Sequence, residues 1–238
     1  MASPAIAGSR SSAYDLRVMP RALRALVFDF DGLILDTETS EFQAWQELFA
    51  AHGGTLTVAD WAHVIGSVDS GWDPAVELGR QTGRAYVRDE LRAAWRPRRD
   101  ELFAQEVIRP GVLDLIKEAK LRGMGLGVAS SSPRRWVQGH LERLGIYESF
   151  DVVATGDEVE RTKPDPAVYL LALERLRVPA STAIALEDSP NGVRAAHAAG
   201  LACVAVPNDV TRHLDLSAAD AVLESLSELN LDELPFAR

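Results

Sequence analysis

The chain has 238 residues, 47% of them hydrophobic and 25% charged, enough for one sizeable core with an inserted subdomain. A formal net charge of −10 argues against a general nucleic-acid binder, although a metal that inverts the local field would still admit anionic substrates. No apolar run approaches the roughly 18 residues of a membrane span, and the single cysteine, Cys203, excludes an intrachain disulfide and fits a reducing compartment.

Residues 1–22 carry no apolar signal region and hold one acid, Asp15, among many Ser, Ala and Arg. That bias is shared with transit peptides, but we read the segment as a disordered tail, with Met19 a candidate start, and expect a cytoplasmic protein. Residues 26–38, Leu-Val-Phe-Asp-Phe-Asp-Gly-Leu-Ile-Leu-Asp-Thr-Glu, are the most informative stretch. Val27, Phe28 and Phe30 favour a buried strand, which runs into Asp29 and Asp31 and then Gly32. Two carboxylates at such an exit are costly without a partner, and a divalent cation with hard oxygen ligands is a natural one. A solvated acidic turn is the plainer alternative.

From Thr37 to Val107 the pattern is helical. Glu38–Ala51 places Phe42, Trp45, Leu48 and Phe49 at helical spacing and stops at His52-Gly53-Gly54. Val58–Ile65 predicts a short helix and Gly66–Pro74 a loop. Pro74–Thr82 and Ala85–Gln105 predict two more helices, the second bent or broken at Pro97. Arg84, Arg88, Arg92 and Arg96 recur every four residues and read as a solvated face.

After Arg109-Pro110-Gly111 the chain alternates. Helices are predicted at Val112–Leu121, Pro133–Leu144, Pro166–Leu176 and Gly192–Ala199. Strands are predicted at Gly125–Ala129, Phe150–Ala154, Ala183–Leu186, Cys203–Val206 and Ala221–Leu223. Such alternation implies parallel βαβ units with right-handed crossovers. The expected fold is therefore an α/β doubly wound parallel-sheet core, Rossmann-like, with an inserted α-helical cap: core 23–36 and 108–238, cap 37–107.

Ligands in these folds sit beyond the carboxyl ends of the strands, and four exits carry polar chemistry. The first gives Asp29 and Asp31. The second gives Ser130 and Ser131 before a helix N-terminus, a possible anion cradle, with Ser132 read as a helix cap. The third leads to Lys163, held between two turns in a chain that otherwise prefers arginine, which suggests a compact point charge; a solvated loop lysine is the default alternative. The fourth gives Glu187 and Asp188, which alone could serve the following helix dipole. Jointly they describe a magnesium phosphate site.

Here the chain resembles the haloacid dehalogenase superfamily of aspartyl-phosphate enzymes. Phe-Asp-Phe-Asp-Gly resembles its first motif, Val-Ala-Ser-Ser-Ser its second, Thr-Lys-Pro-Asp-Pro its third and Leu-Glu-Asp-Ser-Pro-Asn-Gly its fourth, over about Arg24 to Asn208. The helical insertion resembles the cap of subfamily I, the branch of β-phosphoglucomutase and small-metabolite phosphatases. The resemblance implies that Asp29 is the nucleophile and that Asp31 protonates the leaving oxygen and then helps deprotonate water, a task needing a neutral Asp31 when substrate arrives. It implies Mg²⁺ held by Asp29, the Asp31 carbonyl and Asp188, with Glu187 an additional ligand or a neighbour of one. It implies that Ser130 and Lys163 hold the phosphoryl oxygens, assisted by Ser131 and the Gly32 backbone.

The expected substrate is a small phosphorylated metabolite, a sugar phosphate among the candidates, with neither nucleic acid nor membrane as partner and a monomer or small homo-oligomer as the state. The loop 66–71 is expected to reach the leaving group. Of Trp45, Trp61, Trp72 and Trp95, Trp72 is the foremost candidate to stack on a ring. β-Phosphoglucomutases carry a histidine aligned with Glu41, itself readable as a solvated position, and an arginine in the substrate loop. This chain has neither, with no arginine between Val64 and Leu78. That favours a phosphatase over the alternative, a sugar phosphomutase. A catalytically silent binding module would lack a nucleophile or metal ligand, and none is lacking.

Overall fold

The computed structural model describes residues 23–61, 65 and 71–233. Six strands form one parallel sheet: β1 (Ala25–Phe28), β2 (Gly125–Ala129), β3 (Val152–Ala154), β4 (Ala183–Glu187), β5 (Ala202–Ala205) and β6 (Ala221–Val222), in the spatial order β3-β2-β1-β4-β5-β6. Phe28 pairs with Val128 on one side and with Leu186 on the other, so β1 lies where the strand order reverses. This is the place where a doubly wound sheet opens a crevice at its carboxyl edge.

Period-two alternation divides each strand between two apolar layers. Leu26 and Phe28 of β1, with Ile184 and Leu186 of β4, face the cluster that includes α5 (Val112–Leu121) and α6 (Arg134–Arg143). Ala25, Val27, Ala183 and Ala185 face α7 (Ala167–Leu176) and α8 (Pro190–Ala198). The second face is made of small residues, and an added Cβ at Gly127 would lie 3.1 Å from Leu176, so α7 packs close on β2. With helices on both faces, every strand residue of β1 and β4 is buried, as parallel sheets require. The α/β doubly wound expectation holds.

Between β1 and α5 the chain forms α1 (Thr37–Ala51), α2 (Val58–Trp61), α3 (Pro74–Thr82) and α4 (Arg88–Gln105), with no strand among the described residues there. Asp36 caps α1 by accepting from the Thr39 amide at 3.1 Å, and Asp73 caps α3 through the Ala75 amide at 2.8 Å. These helices bury a cluster of their own around Phe42, Trp45, Phe49, Leu78 and Trp95, which Val210 from the sheet side also joins. The outgoing and returning passes of the chain lie side by side: Leu35 and Ile108 form an antiparallel bridge, and the Arg109 amide donates to the Ile34 carbonyl at 3.0 Å.

Several boundaries differ from expectation. Helix α4 begins at Arg88 rather than Ala85 and runs unbroken through Pro97, which forfeits one backbone donor within a helix anchored by buried Leu91, Trp95 and Phe103. Arg84 therefore precedes the helix, while Arg88, Arg92 and Arg96 are exposed as expected. α2 is described only to Trp61. Residues 1–22 and loop residues 66–70 lie outside the described residues. Among the described residues no helix is long and apolar enough to cross a membrane. Cys203 is a buried residue of β5.

Candidate active site

The carboxyl ends of β1, β2 and β4 deliver Asp29, Ser130 and the Glu187-Asp188 pair to one rim of the sheet. Lys163 reaches the same point from the loop before α7. Its Nζ donates to Asp29 Oδ1 at 2.5 Å and to Glu187 Oε1 at 2.7 Å, and the residue is 5% exposed. The default expectation of a solvated loop lysine is therefore wrong. Asp29, Glu187 and Asp188 each offer an oxygen within 4.8 Å of the others, and all three are buried.

One ammonium bonds two of three buried acids, and this imbalance sets the electrostatics. Burial alone would lower Lys163, but Asp29 and Glu187 outweigh it and hold its ammonium above the ordinary value. The excess negative charge falls on the remaining groups. Burial, then Glu187, pushes the Asp29 carboxyl up to about 8 despite its bond to Lys163. Burial, then Asp29 and Glu187, pushes Asp188 well above the usual carboxylate range. A hard divalent cation would balance this charge, and the all-oxygen donor set fits Mg²⁺.

The two acids of the fourth strand exit differ in their bonding. Glu187 Oε1 accepts from Lys163 and from the Tyr169 hydroxyl at 2.6 Å, and Oε2 accepts from the Asp188 amide at 3.1 Å. Both of its oxygens thus face protein donors, an arrangement that orients Lys163. Asp188 Oδ2 accepts from Asn208 Nδ2 at 2.8 Å. The Asn208 side-chain oxygen is in turn fixed by the amides of Val210 and Thr211.

Gly32 plays a different part from the one expected. Its amide donates to the Leu35 carbonyl at 2.7 Å, and its own carbonyl accepts from Arg109 and Asn208, so its backbone is not free to hold a phosphoryl group. Its φ is +81°, and an added Cβ would lie 2.1 Å from Asp188 Oδ2; glycine is what lets the turn pass this carboxylate. Arg109, read from sequence only as part of a boundary, also donates to the Val206 and Pro207 carbonyls at 3.1 and 2.7 Å, tying the turn to the chain after β5.

Asp31 collects four donors. Thr37 Oγ1 and Trp136 Nε1 donate to Oδ1 at 3.0 and 2.8 Å, and Ser132 Oγ and Ser130 Oγ donate to Oδ2 at 2.7 and 3.2 Å. Ser132 is thus not the expected helix cap: α6 has Pro133 at its N-cap without a side-chain cap bond, and the hydroxyl turns to Asp31 instead. Ser131 lines the same cavity with its hydroxyl oxygen buried and no protein hydrogen-bond partner.

The cavity has a volume of about 680 Å³. Its floor includes Asp29, Asp31, Ser130, Lys163 and Asp188, and the helical block contributes Glu38, Glu41, Trp61, Arg99 and Phe103. Glu41 is therefore no solvated position: it is half-buried in the wall, where desolvation, opposed in part by Arg99, pushes its carboxyl up to about 7. Burial, then Glu41 and Asp31, raises Glu38 well above its ordinary value. Trp72 does not face this space. Its ring packs against Trp45, Phe49 and Trp61, and Trp61 lines the cavity in its place. No motif marks Tyr169, Asn208, Arg109, Thr37 or Trp136; only the fold brings them to the acids.

Residues 23–200 match the family model described as haloacid dehalogenase-like hydrolase. The chain belongs to the haloacid dehalogenase-like hydrolases. Within this family it is 44% identical over 209 residues to YhcW of Bacillus subtilis (strain 168), provisionally named a phosphatase, an alignment covering 88% of this chain and 94% of that one. The crystal structure of CbbY from Rhodobacter sphaeroides in complex with xylulose-(1,5)bisphosphate superposes with a TM-score of 0.67 at 35% identity, covering 87% and 96% of the two chains. A Thermotoga maritima structure provisionally assigned to β-phosphoglucomutase gives 0.70 at 27% identity, covering 89% and 99%. This haloacid dehalogenase-like hydrolase thus falls in subfamily I, in the β-phosphoglucomutase-like branch, and is a phosphoric monoester hydrolase.

Proposed function

We propose that the protein is a Mg²⁺-dependent phosphatase that hydrolyses a small phosphorylated metabolite, a sugar phosphate, through an aspartyl-phosphate intermediate. The observation that carries this reading is the contact of Lys163 with Asp29 inside a buried cluster of three carboxylates at the floor of a cavity. We read residues 37–107 as a cap on the core 23–36 and 108–238, a division supported by the paired passes at Leu35 and Ile108.

In this reading an Asp29 oxygen attacks phosphorus and the ester P–O bond breaks, with Asp31 giving its proton to the departing oxygen. Water then attacks the aspartyl-phosphate, gives a proton back to Asp31, and phosphate leaves as the bond to Asp29 breaks. Ser130, Ser131 and Lys163 hold the phosphoryl oxygens, whose spread charge makes positioning and positive charge the main source of rate. Asp29, Asp188 and the Asp31 carbonyl would hold Mg²⁺, which supplies charge neutralisation at the phosphoryl group when bound. Glu187 orients Lys163 rather than acting as a principal ligand.

A sugar moiety is supported by the wall of Glu38, Glu41 and Trp61, acceptors for hydroxyls beside an aromatic surface. CbbY, bound to xylulose-(1,5)bisphosphate, and relatives named a phosphorylated carbohydrates phosphatase and a hexitol phosphatase lend the same support. Hydrolysis is favoured over mutase chemistry by Glu41, which occupies the cavity wall at the position where mutases carry histidine. The test is phosphate release from a panel of sugar phosphates with Mg²⁺ and with excess chelator. Release that persists in chelator would remove the metal from the reaction, and isomer interconversion without release would establish the mutase.

A further inference from the structure

Asp31 receives a hydrogen bond from an indole, and that indole is packed by the helical block. Trp136 stands in the first turn of α6, and its Nε1 lies 2.8 Å from Asp31 Oδ1. Its ring meets His140, one turn further along α6, edge to face with centroids 4.2 Å apart. On another side it meets Phe103 of α4, with centroids 5.2 Å apart and planes at 64°. Phe103 is buried, and Arg99 of α4 lies over both Phe103 and Trp95 at 5.5 and 4.5 Å. A run of side chains therefore leads from Trp95 in the block's own apolar cluster, through Arg99, Phe103 and Trp136, to a carboxylate at the floor of the cavity.

An indole N–H only donates and is rigid, so it fixes one carboxylate oxygen in one direction without entering proton transfer. Thr37 shares that oxygen at 3.0 Å, and Ser130 and Ser132 hold the other. We propose that Trp136 is a positioning residue that aims Asp31 at the leaving-group oxygen, and that Phe103 sets the ring of Trp136, so that the seating of α4 on the sheet domain determines the aim. The inference rests on the general-acid reading of Asp31 given above. It adds a dependence of that step on a contact between the helical block and the core.

The test compares kcat/KM for 4-nitrophenyl phosphate, whose leaving group departs without help, with kcat/KM for phenyl phosphate, whose leaving group needs a proton. Trp136→Phe keeps the ring and removes the donor. It should lower the phenyl phosphate value about tenfold and leave the 4-nitrophenyl phosphate value within about twofold. Phe103→Leu should produce the same selective loss with the indole intact, and it carries the test if Trp136→Phe fails to fold. Asp31→Asn is the reference and should show the same selectivity in larger measure. Equal losses on the two esters in both the Trp136 and Phe103 variants, or none, would overturn the proposal while Asp31→Asn still discriminates. An Asp31→Asn enzyme that loses both esters equally would overturn the general-acid reading itself, and the proposal with it.

Discussion

The Tyr169 hydroxyl lies 2.6 Å from Glu187 Oε1, the same oxygen that receives the Lys163 ammonium at 2.7 Å. The Lys163 Nζ also sits 4.9 Å from the centre of the Tyr169 ring. One residue of α7 thus supports the lysine twice, through its face and through the acid it bonds. Tyr169→Phe keeps the ring and removes one of two donors to that oxygen. It should cost about 1 kcal/mol of stability in urea denaturation. Glu187→Gln weakens the anchor of Lys163 directly and should reduce kcat by tenfold or more, on the order of a lost charge-assisted bond.

At Gly32 the backbone passes so close to Asp188 that a methyl group would overlap its carboxylate. Gly32→Ala must also hold a left-handed φ, at roughly 1–2 kcal/mol. Isothermal titration with Mg²⁺ should show weaker binding in this variant. Unchanged Mg²⁺ affinity would contradict the role given to Asp188.

The pH response of the buried acids has a defined sign. The folded protein holds a proton on Asp29 up to about pH 8, whereas an unfolded chain releases it in the ordinary carboxylate range. Stability from this group is full below that range and is lost as pH rises towards 8. Mg²⁺ competes with the proton, so the rise in thermal midpoint on adding Mg²⁺ should be larger at pH 8 than at pH 5. A shift independent of pH would show that the ion binds elsewhere.

Glu41 has the same sign over a narrower window, because its carboxyl is pushed up to about 7. Wild-type stability should decline between about pH 4.5 and 7 by an increment that Glu41→Gln removes. In kinetics the same variant should raise KM for sugar phosphates more than KM for 4-nitrophenyl phosphate, which carries no hydroxyls to meet this wall.

The fold and the candidate site were legible to different depths. Strand exits such as Phe-Asp-Phe-Asp-Gly announce themselves because acids are rare after buried apolar runs, and the parallel sheet follows from the alternation that brings these exits to one rim. What could not be read is orientation. Ser132 looks like any residue ahead of a helix, yet its hydroxyl turns to Asp31 because Pro133 takes the cap position. Trp72 stands in the loop Ser-Gly-Trp-Asp-Pro and Trp61 at a helix position, yet Trp72 packs among three aromatic rings and it is Trp61 that reaches the cavity. Tyr169, Asn208 and Trp136 lie in segments whose periodicity specifies a helix or a loop and nothing more. Pro97 does not break its helix, because a proline penalty of a few kcal/mol is offset when the flanking turns are anchored in a core.

The pairing of Leu35 with Ile108 gives the helical block a single neck rather than two separate stalks. Arg109, next in the chain, grips the Gly32 turn and the segment after β5 and so anchors the base of that neck. The entry to the helical block and the turn beside Asp188 are thereby tied into one bonded unit, so a change at Arg109 disturbs both at once.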